Sequence, residues 1–300
     1  MNKLIITASP TDNVIYTPPE FPAVPRTAEE IATVSKQVRD AGASVVHLHG
    51  PWKMPHGATA ASIEGDDGGW GNMTRLVRAQ ARDIIVQYGV AGAPIEQRKL
   101  QMEGPAEERP DMVSVGLGCH DYQFGDREVH MSHARSEYVR YAELCVATAV
   151  RPEFELFHLG NLWNFHYVIE HARVQPERPY WFSLFLGVRG GSWSPPTTEE
   201  LNHRLSYLPE GCNWQVVPRT GVKGDVTIET HRQLLAYALL RGGHVRVGIE
   251  DNPYLREGVK ADSSAQLVEQ VVDLARSLGR EVATPDEART IIGLSPLPPV

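Results

Sequence analysis

The stretch at residues 3–12, which reads KLIITASPTD, decides between two α/β folds for this 300-residue chain. It opens with an apolar β-type run, and the rest of the sequence alternates such runs with amphipathic helical ones. Strands separated by helices predict a parallel sheet with helical crossovers. A doubly wound sheet that binds a dinucleotide would need a glycine-rich turn after the first strand, but residues 8–12 contain no glycine. The stretch therefore favours a closed (β/α)8 TIM barrel, folded as a single domain.

Eight strands and seven helices are predicted along this barrel. The strands are expected at residues 3–7, 44–49, 83–88, 112–117, 153–158, 180–186, 213–218 and 244–249. The helices are expected at residues 28–41, 73–82, 137–150, 163–172, 199–205, 230–241 and 265–278. A final helix is expected at about residues 285–292, because residues 284–287 (TPDE) read as a capping box with proline at the first helical position. Long polar loops are expected at about residues 50–72 and 119–136.

Composition excludes several classes of function. The net charge of -8 and the lack of a basic stretch argue against a nucleic-acid partner. No apolar run approaches the ~18 residues of a membrane-spanning helix, and the N-terminus does not read as a signal peptide. The three cysteines (Cys119, Cys145 and Cys212) are odd in number and far apart, so they suggest no disulfide framework. We expect a cytoplasmic protein that acts on a small molecule.

Two histidines, His47 and His49, end the second strand. Alternate side chains of a strand share a face, so both imidazoles point the same way, about 7 Å apart. The same alternation places Arg246 and Glu250 on one face of the eighth strand. Strands two and eight both neighbour strand one, so the two imidazoles and the Glu250 carboxylate can meet at the C-terminal end of the barrel, where such barrels carry their active sites. This ligand set suits a catalytic zinc ion with an open position.

The same residues also have a purely structural interpretation. The imidazoles could be ordinary inward-facing side chains bonded to neighbouring backbone. Arg246 could form a buried ion pair that stabilises the barrel, since an unpaired inward arginine would cost several kcal/mol. Glu153 and Glu155, on one face of strand five, need partners or a cavity for the same reason. The sequence thus predicts an inward charge network and leaves open whether it is catalytic.

Several motifs resemble the β-keto acid cleavage enzymes, the family of 3-keto-5-aminohexanoate cleavage enzyme, over nearly the full length of the chain. The matching stretches are LIITAS (4–9), AGASVVHLH (41–49), PEFELF (152–157), FLGVRGG (185–191), GGHVRVGIEDNPY (242–254) and GREVATPDEARTIIGL (279–294). The resemblance implies a zinc-dependent (β/α)8 barrel with one Zn²⁺ per subunit, assembled as a homotetramer. It also implies exchange of an acyl group between a β-keto acid and acetyl-CoA, which gives acetoacetate and a new CoA thioester.

Individual roles follow from the resemblance by position. It implies zinc ligands at the two histidines of the HLH motif and at Glu250. It implies that the pair Arg246 and Asp251 abstracts a proton from the acetyl-CoA methyl group, and it aligns Glu155 with a carboxylate on strand five. Zinc would stabilise charge that develops on a ketone oxygen. A carboxylate beside an arginine is a weak base, so this proton transfer needs help from the site.

Two turns that hold the substrate carboxylate in the family differ here. After strand three the family carries a hydroxyl-rich turn, but residues 87–92 read QYGVAG, with Gly89 and Val90 at the substrate-binding places. After strand four a threonine or serine is usual, and this chain has Cys119. Each lost charge-assisted bond should cost about 1.5–3 kcal/mol, unless Arg189, Arg219 or a histidine of the 119–136 loop (His120, His130 or His133) replaces the donors.

Two other functions therefore stay open beside zinc-dependent β-keto acid cleavage. The altered turns would also suit a zinc-dependent C–C hydrolase or retro-aldol lyase that acts on a carbonyl substrate without CoA. A non-catalytic metal-binding or ligand-binding barrel would be favoured if substitution of Asp251 changed only metal content.

Overall fold

The computed structural model describes residues 2–11, 16, 19–49, 69–89, 95–124, 127–188, 193–219 and 227–297. Its strands are β1 (Ile6–Ala8), β2 (Val45–Leu48), β3 (Ile85–Tyr88), β4 (Met112–Gly116), β5 (His120–Phe124), β6 (Arg127–Met131), β7 (Arg151–Leu156), β8 (Trp181–Leu186), β9 (Asn213–Pro218), β10 (His244–Val247), β11 (Tyr254–Arg256) and β12 (Val259–Lys260). Eight of them close into a parallel barrel in the order β1, β10, β9, β8, β7, β4, β3, β2. The predicted (β/α)8 fold is confirmed.

Helices surround this barrel. Within the described residues they are α1 (Ala28–Ala41), α2 (Gly69–Gln80), α3 (Ile95–Met102), α4 (Arg135–Thr148), α5 (Asn161–His171), α6 (Thr198–Leu205), α7 (Ile228–Leu240), α8 (Ser264–Ser277) and α9 (Pro285–Ile292). Four of them begin after a threonine whose hydroxyl accepts a backbone N–H of the first turn: Thr27, Thr197, Thr227 and Thr284. Such caps satisfy amides that the helix itself leaves unpaired. None of the helices in the described ranges is long and apolar enough to cross a membrane.

The barrel interior changes from apolar to polar along its axis. Near the N-terminal ends of the strands, the inward side chains form an apolar layer of Ile5, Val45, Ile85, Met112 and Trp181. The next layer, which we call the polar layer, consists of Thr7, Gln87, Glu153, Ser183 and Gln215, all of them buried. Helix α9 packs Ala288 and Ile292 against the apolar layer and closes that end of the barrel. The polar groups therefore face the opposite, C-terminal end, where chemistry is expected.

Local differences from the prediction have identifiable causes. The loop expected at about 119–136 contains an antiparallel hairpin of β5 and β6. The loop expected at about 50–72 ends earlier, because α2 already begins at Gly69, and residues 50–68 lie outside the described part of the chain. Helix α3 was not predicted, since its buried face carries Arg98 and Gln101 beside apolar residues and hides the amphipathic pattern.

Candidate active site at the barrel mouth

Three potential metal ligands converge where β2 and β10 end. The donor atoms of His47, His49 and Glu250 all lie within 4.8 Å of one another. The two imidazole Nε2 atoms are 3.2 Å apart, and His49 Nε2 lies 3.0 Å from Glu250 Oε1. His47 Nε2 lies 3.6 Å from Glu250 Oε2. The three side chains thus meet at one point, with His49 directly after β2 and Glu250 in the turn that follows β10.

The chemistry of this group fits a divalent metal ion. Two ligands bound tetrahedrally at about 2.1 Å would lie about 3.4 Å apart, close to the observed spacings. Glu250 Oε2 is buried and has no hydrogen-bond partner among the described residues, although such an oxygen normally requires one. Burial and the charge of Arg246 hold the pKa of His47 well below its usual range, so its imidazole is neutral. Neutral imidazole is the form that binds a metal.

Arg246 lies beside these ligands and joins them to Asp251. Its Nε and Nη2 donate to Asp251 Oδ2 and Oδ1 at 2.8 and 3.0 Å, and its Nη2 lies 2.6 Å from Glu250 Oε1. Ser9 Oγ also donates to Asp251 Oδ2, at 2.6 Å. Burial alone would raise the pKa of Glu250, but Arg246 and the imidazoles outweigh it and hold that pKa well below its usual range. The predicted ion pair is therefore present, and it is part of the ligand group.

Glu155 occupies the same end of the barrel, on β7, in register with Gly116 of β4. Its side chain is buried, and it forms no hydrogen bond within the described ranges. Burial and the nearby Glu153 carboxylate raise the pKa of Glu155 to about 8. A carboxyl group with this pKa can both donate and accept a proton near neutral pH.

Two of the three predicted substrate-binding positions, Gly89 and Cys119, lie within the described residues. Gly89 lies directly under the imidazoles, where an added Cβ would come within 2.4 Å of His47 Nε2. A hydroxyl-bearing side chain at this position would therefore collide with the ligand group. Cys119 is exposed, and its thiol lies 3.3 Å from Ser132 Oγ on the segment after β6. Val90 lies outside the described residues.

A second arginine approaches the ligand group from β9. Arg219 is 7% exposed, its Nε donates to the backbone oxygen of Glu250 at 3.2 Å, and its Nη2 lies 3.7 Å from Glu250 Oε1. Arg189 lies outside the described residues. Of the histidines in the segment between β4 and α4, His120 is buried and stacks on Phe157, with ring centroids 4.0 Å apart. Among the replacements proposed from the sequence that the structure describes, Arg219 is thus the arginine that reaches the site.

Sequence reasoning missed Gln87. Its Oε1 lies 3.2 Å from His47 Nδ1, and its Nε2 donates to Glu153. The signal was available, because Gln87 has the same strand parity as Ile85 and points into the barrel, where a polar side chain is unusual. Its partner His47 could be identified only from the register of β2 with β3.

Comparisons with known proteins show the family to which the chain is similar. The sequence profile of the beta-keto acid cleavage enzyme family matches residues 3–294. A 3-keto-5-aminohexanoate cleavage enzyme of Fusobacterium nucleatum is 33% identical over 303 residues, which cover 98% of this chain and 99% of that protein. A 3-dehydrocarnitine:acetyl-CoA trimethylamine transferase of Rhizobium meliloti is 28% identical, over 91% of this chain and 90% of that protein. A solved ternary complex of ObcA with a C4-CoA adduct and oxalate has the same barrel fold, with a TM-score of 0.71 and 16% identity over 91% of this chain and 68% of that one.

Proposed function

Because the chain belongs to the β-keto acid cleavage enzyme family, we propose that it is a zinc-dependent enzyme that exchanges an acyl group between a β-keto acid and acetyl-CoA. The products would be acetoacetate and a new CoA thioester. The observation that carries the proposal is the convergence of His47, His49 and Glu250 beside Arg246. Cleavage of C–C bonds is common to the named relatives, and this argues against the non-catalytic barrel. A homotetramer and a cytoplasmic location stay predictions.

A bound zinc ion would supply Lewis-acid stabilisation of negative charge on a carbonyl oxygen. The chain's own residues supply the remaining groups. The Arg246 guanidinium contributes a positive charge whose position is fixed, because it donates two hydrogen bonds to the Asp251 carboxylate. Such a charge needs no reorganisation during the reaction. Both Asp251 oxygens already accept hydrogen bonds, so we assign Asp251 mainly to positioning Arg246. Glu155, whose pKa is raised to about 8 by burial and by Glu153, is then the group that takes up and returns the proton.

The substrate carboxylate needs a new partner in this chain, since the family's hydroxyls are absent. We propose Arg219 for this role. Arg219 directly follows β9 and lies beside the ligand group. A guanidinium binds a carboxylate through two parallel hydrogen bonds. A charged donor of this kind would replace the two neutral ones that the turns after β3 and β4 have lost.

Metal analysis of the purified protein tests the first half of the proposal. We expect about one zinc ion per chain in the wild type, given a single ligand group of this kind. His47→Ala should lose the metal, while His203→Ala, which removes an exposed histidine on α6, should keep it. Full metal retention by His47→Ala would contradict the assigned ligands.

Product analysis tests the second half. A panel of β-keto acids incubated with acetyl-CoA should yield acetoacetate and an acyl-CoA in equal amounts. Cleavage of the keto acid without CoA would instead support the hydrolase or retro-aldol alternative. A metal-loaded protein that converts none of the acids would contradict both enzymatic proposals.

A further inference from the structure

The polar layer beneath the metal ligands is unusual for a barrel interior. Such layers are normally filled with bulky branched apolar side chains. Here five strands contribute hydrogen-bonding groups instead, and none of the five residues is more than 1% exposed. Burying polar groups in this way costs free energy unless every group is paired. Polar side chains at a depth where apolar ones are normal indicate that these residues have a functional role.

The hydrogen bonds of the polar layer have a defined direction. Thr7 Oγ1 donates to Gln215 Oε1 at 2.8 Å, so the amide nitrogen of Gln215 faces Ser183 Oγ and Glu153 Oε1, at 2.7 and 2.8 Å. Ser183 donates to the same Glu153 oxygen, and Gln87 Nε2 donates to the other. Glu153 is thus the common acceptor of three neutral donors, the arrangement that suits an ionised carboxylate. Burial raises the pKa of this carboxyl, and the charge of Arg246 and the hydrogen bonds from Ser183 and Gln215 oppose that rise.

This direction determines the orientation of Gln87. A carboxylate only accepts hydrogen bonds, so the amide nitrogen of Gln87 must face Glu153 and its oxygen must face the other way. The oxygen lies 3.2 Å from His47 Nδ1. An oxygen acceptor there requires the imidazole proton on Nδ1, which leaves the lone pair on Nε2. Nε2 is the atom that faces His49 and Glu250.

We propose that Glu153, acting through Gln87, fixes the tautomer and orientation in which His47 binds the metal. Glu153 and Gln87 are positioning residues, since neither belongs to the ligand group. Outer-shell partners of metal-binding histidines commonly change metal affinity by about 10–100-fold when they are substituted. The inference rests on the metal site of the proposed function and extends it to a part of the barrel that the reaction itself does not touch.

Two substitutions test the chain of hydrogen bonds from Glu153 through Gln87 to His47, which we call the relay. Gln87→Met keeps most of the side-chain volume and removes the acceptor for His47. Glu153→Gln keeps the shape, but its amide can turn either end towards Gln87 and no longer enforces one orientation. We expect each variant to bind Zn²⁺ about 10–100-fold more weakly in competition with a chelator. The visible absorption of the Co²⁺-loaded proteins should shift as well, because the ligand field depends on how His47 is held.

A matched control and a double variant separate the relay from a general loss of stability. Thr7→Val removes a hydrogen bond on the far side of Gln215 and leaves all three donors of Glu153 in place, so its Zn²⁺ affinity and Co²⁺ spectrum should match the wild type. The double variant Gln87→Met/Glu153→Gln should bind no more weakly than Gln87→Met alone, because Glu153 acts through Gln87.

The outcomes distinguish this inference from the proposed function. A wild type that binds no metal would overturn the proposed function, and the inference with it. If the wild type binds Zn²⁺ and Gln87→Met binds it equally well, the relay alone is overturned. Additive losses in the double variant would also overturn it, because Glu153 would then act by another route. If Glu153→Gln fails to fold, as its circular dichroism would reveal, Gln87→Met and Thr7→Val still decide.

Discussion

The substitution Glu155→Gln gives a sharp test of the electrostatics at the barrel mouth. Burial and the neighbouring Glu153 raise the pKa of Glu155 to about 8, whereas its value in an unfolded chain is 4.5. The folded state therefore binds this proton more tightly than the unfolded state does. A raised carboxyl pKa contributes stability that is fully present below the unfolded value and is lost as the pH rises through the folded value.

The size of the effect follows from these two pKa values. Linkage gives a wild-type contribution that falls by roughly 3 kcal/mol or more between pH 5 and pH 8. The glutamine variant carries no ionisable group at this position. The difference between its free energy of unfolding and that of the wild type should therefore grow in favour of the variant by roughly this amount from pH 5 to pH 8. The same variant should lose most of its catalytic activity, if Glu155 transfers the proton.

Urea unfolding of the metal-free proteins at several pH values measures this difference. The other ionisable groups are shared by the two proteins, and those that do not interact with Glu155 cancel in the comparison; Glu153, which interacts with it, adds to the same pH dependence. Glu269→Gln, which changes an exposed carboxylate on α8, is the control, and its difference from the wild type should stay flat. The difference in free energy of unfolding between Glu155→Gln and the wild type should rise towards pH 8. If it stays constant with pH or falls, the assignment of a protonated, buried Glu155 is refuted.

Two further substitutions probe the ligand group. Asp251→Asn should lower the free energy of unfolding by about 1.5–3 kcal/mol, because the buried Arg246 then keeps Glu250 as a carboxylate partner but loses Asp251. Asp273→Asn, in an exposed pair with Arg276, should cost less than about 1 kcal/mol, and equal losses would contradict the argument. Gly89→Ala should abolish metal binding and activity, because its Cβ would lie 2.4 Å from His47 Nε2. The control Gly104→Ala, with open space around its Cβ, should leave both unchanged. Normal metal content in Gly89→Ala would show that the imidazoles can move aside.

The barrel and its ligand group could be predicted because both depend on periodicity along single strands. The alternation in β2 fixes the direction of His47, and that in β10 fixes the direction of Arg246. In a closed barrel both strands neighbour β1. His49 and Glu250 lie just beyond the ends of these strands, and Glu250 is in a turn where the N–H groups of Asp251 and Asn252 donate to Gly248, so alternation predicted where they lie but does not by itself hold them there.

Features that depend on contacts between strands could not be predicted in this way. The pairing of His47 with Gln87 depends on the register of β2 with β3, which a single sequence does not give. The raised pKa of Glu155 depends on burial and on Glu153, and burial follows from how the whole barrel packs. Helix α3 was missed for another reason: tertiary packing buries Arg98, against the usual preference of arginine for the surface.

The C-terminal motif and the two histidine-containing motifs shared with the family lie at opposite ends of the barrel. One closes the barrel, and the others hold the metal ligands. The C-terminal stretch that includes α9 binds the N-terminal ends of the strands: Arg289 donates to Asp111 before β4 at 2.8 Å, and Asn213 of β9 donates to the backbone oxygen of Ile291 at 2.8 Å. It closes the barrel and contacts none of the ligand group. The HLH and HVRVGIED stretches hold the metal ligands and Arg246 at the other end. The turn after β4 belongs to neither group, whereas the turn after β3 begins at Gly89, which lies against both imidazoles, so a side chain at that position would disturb the metal site.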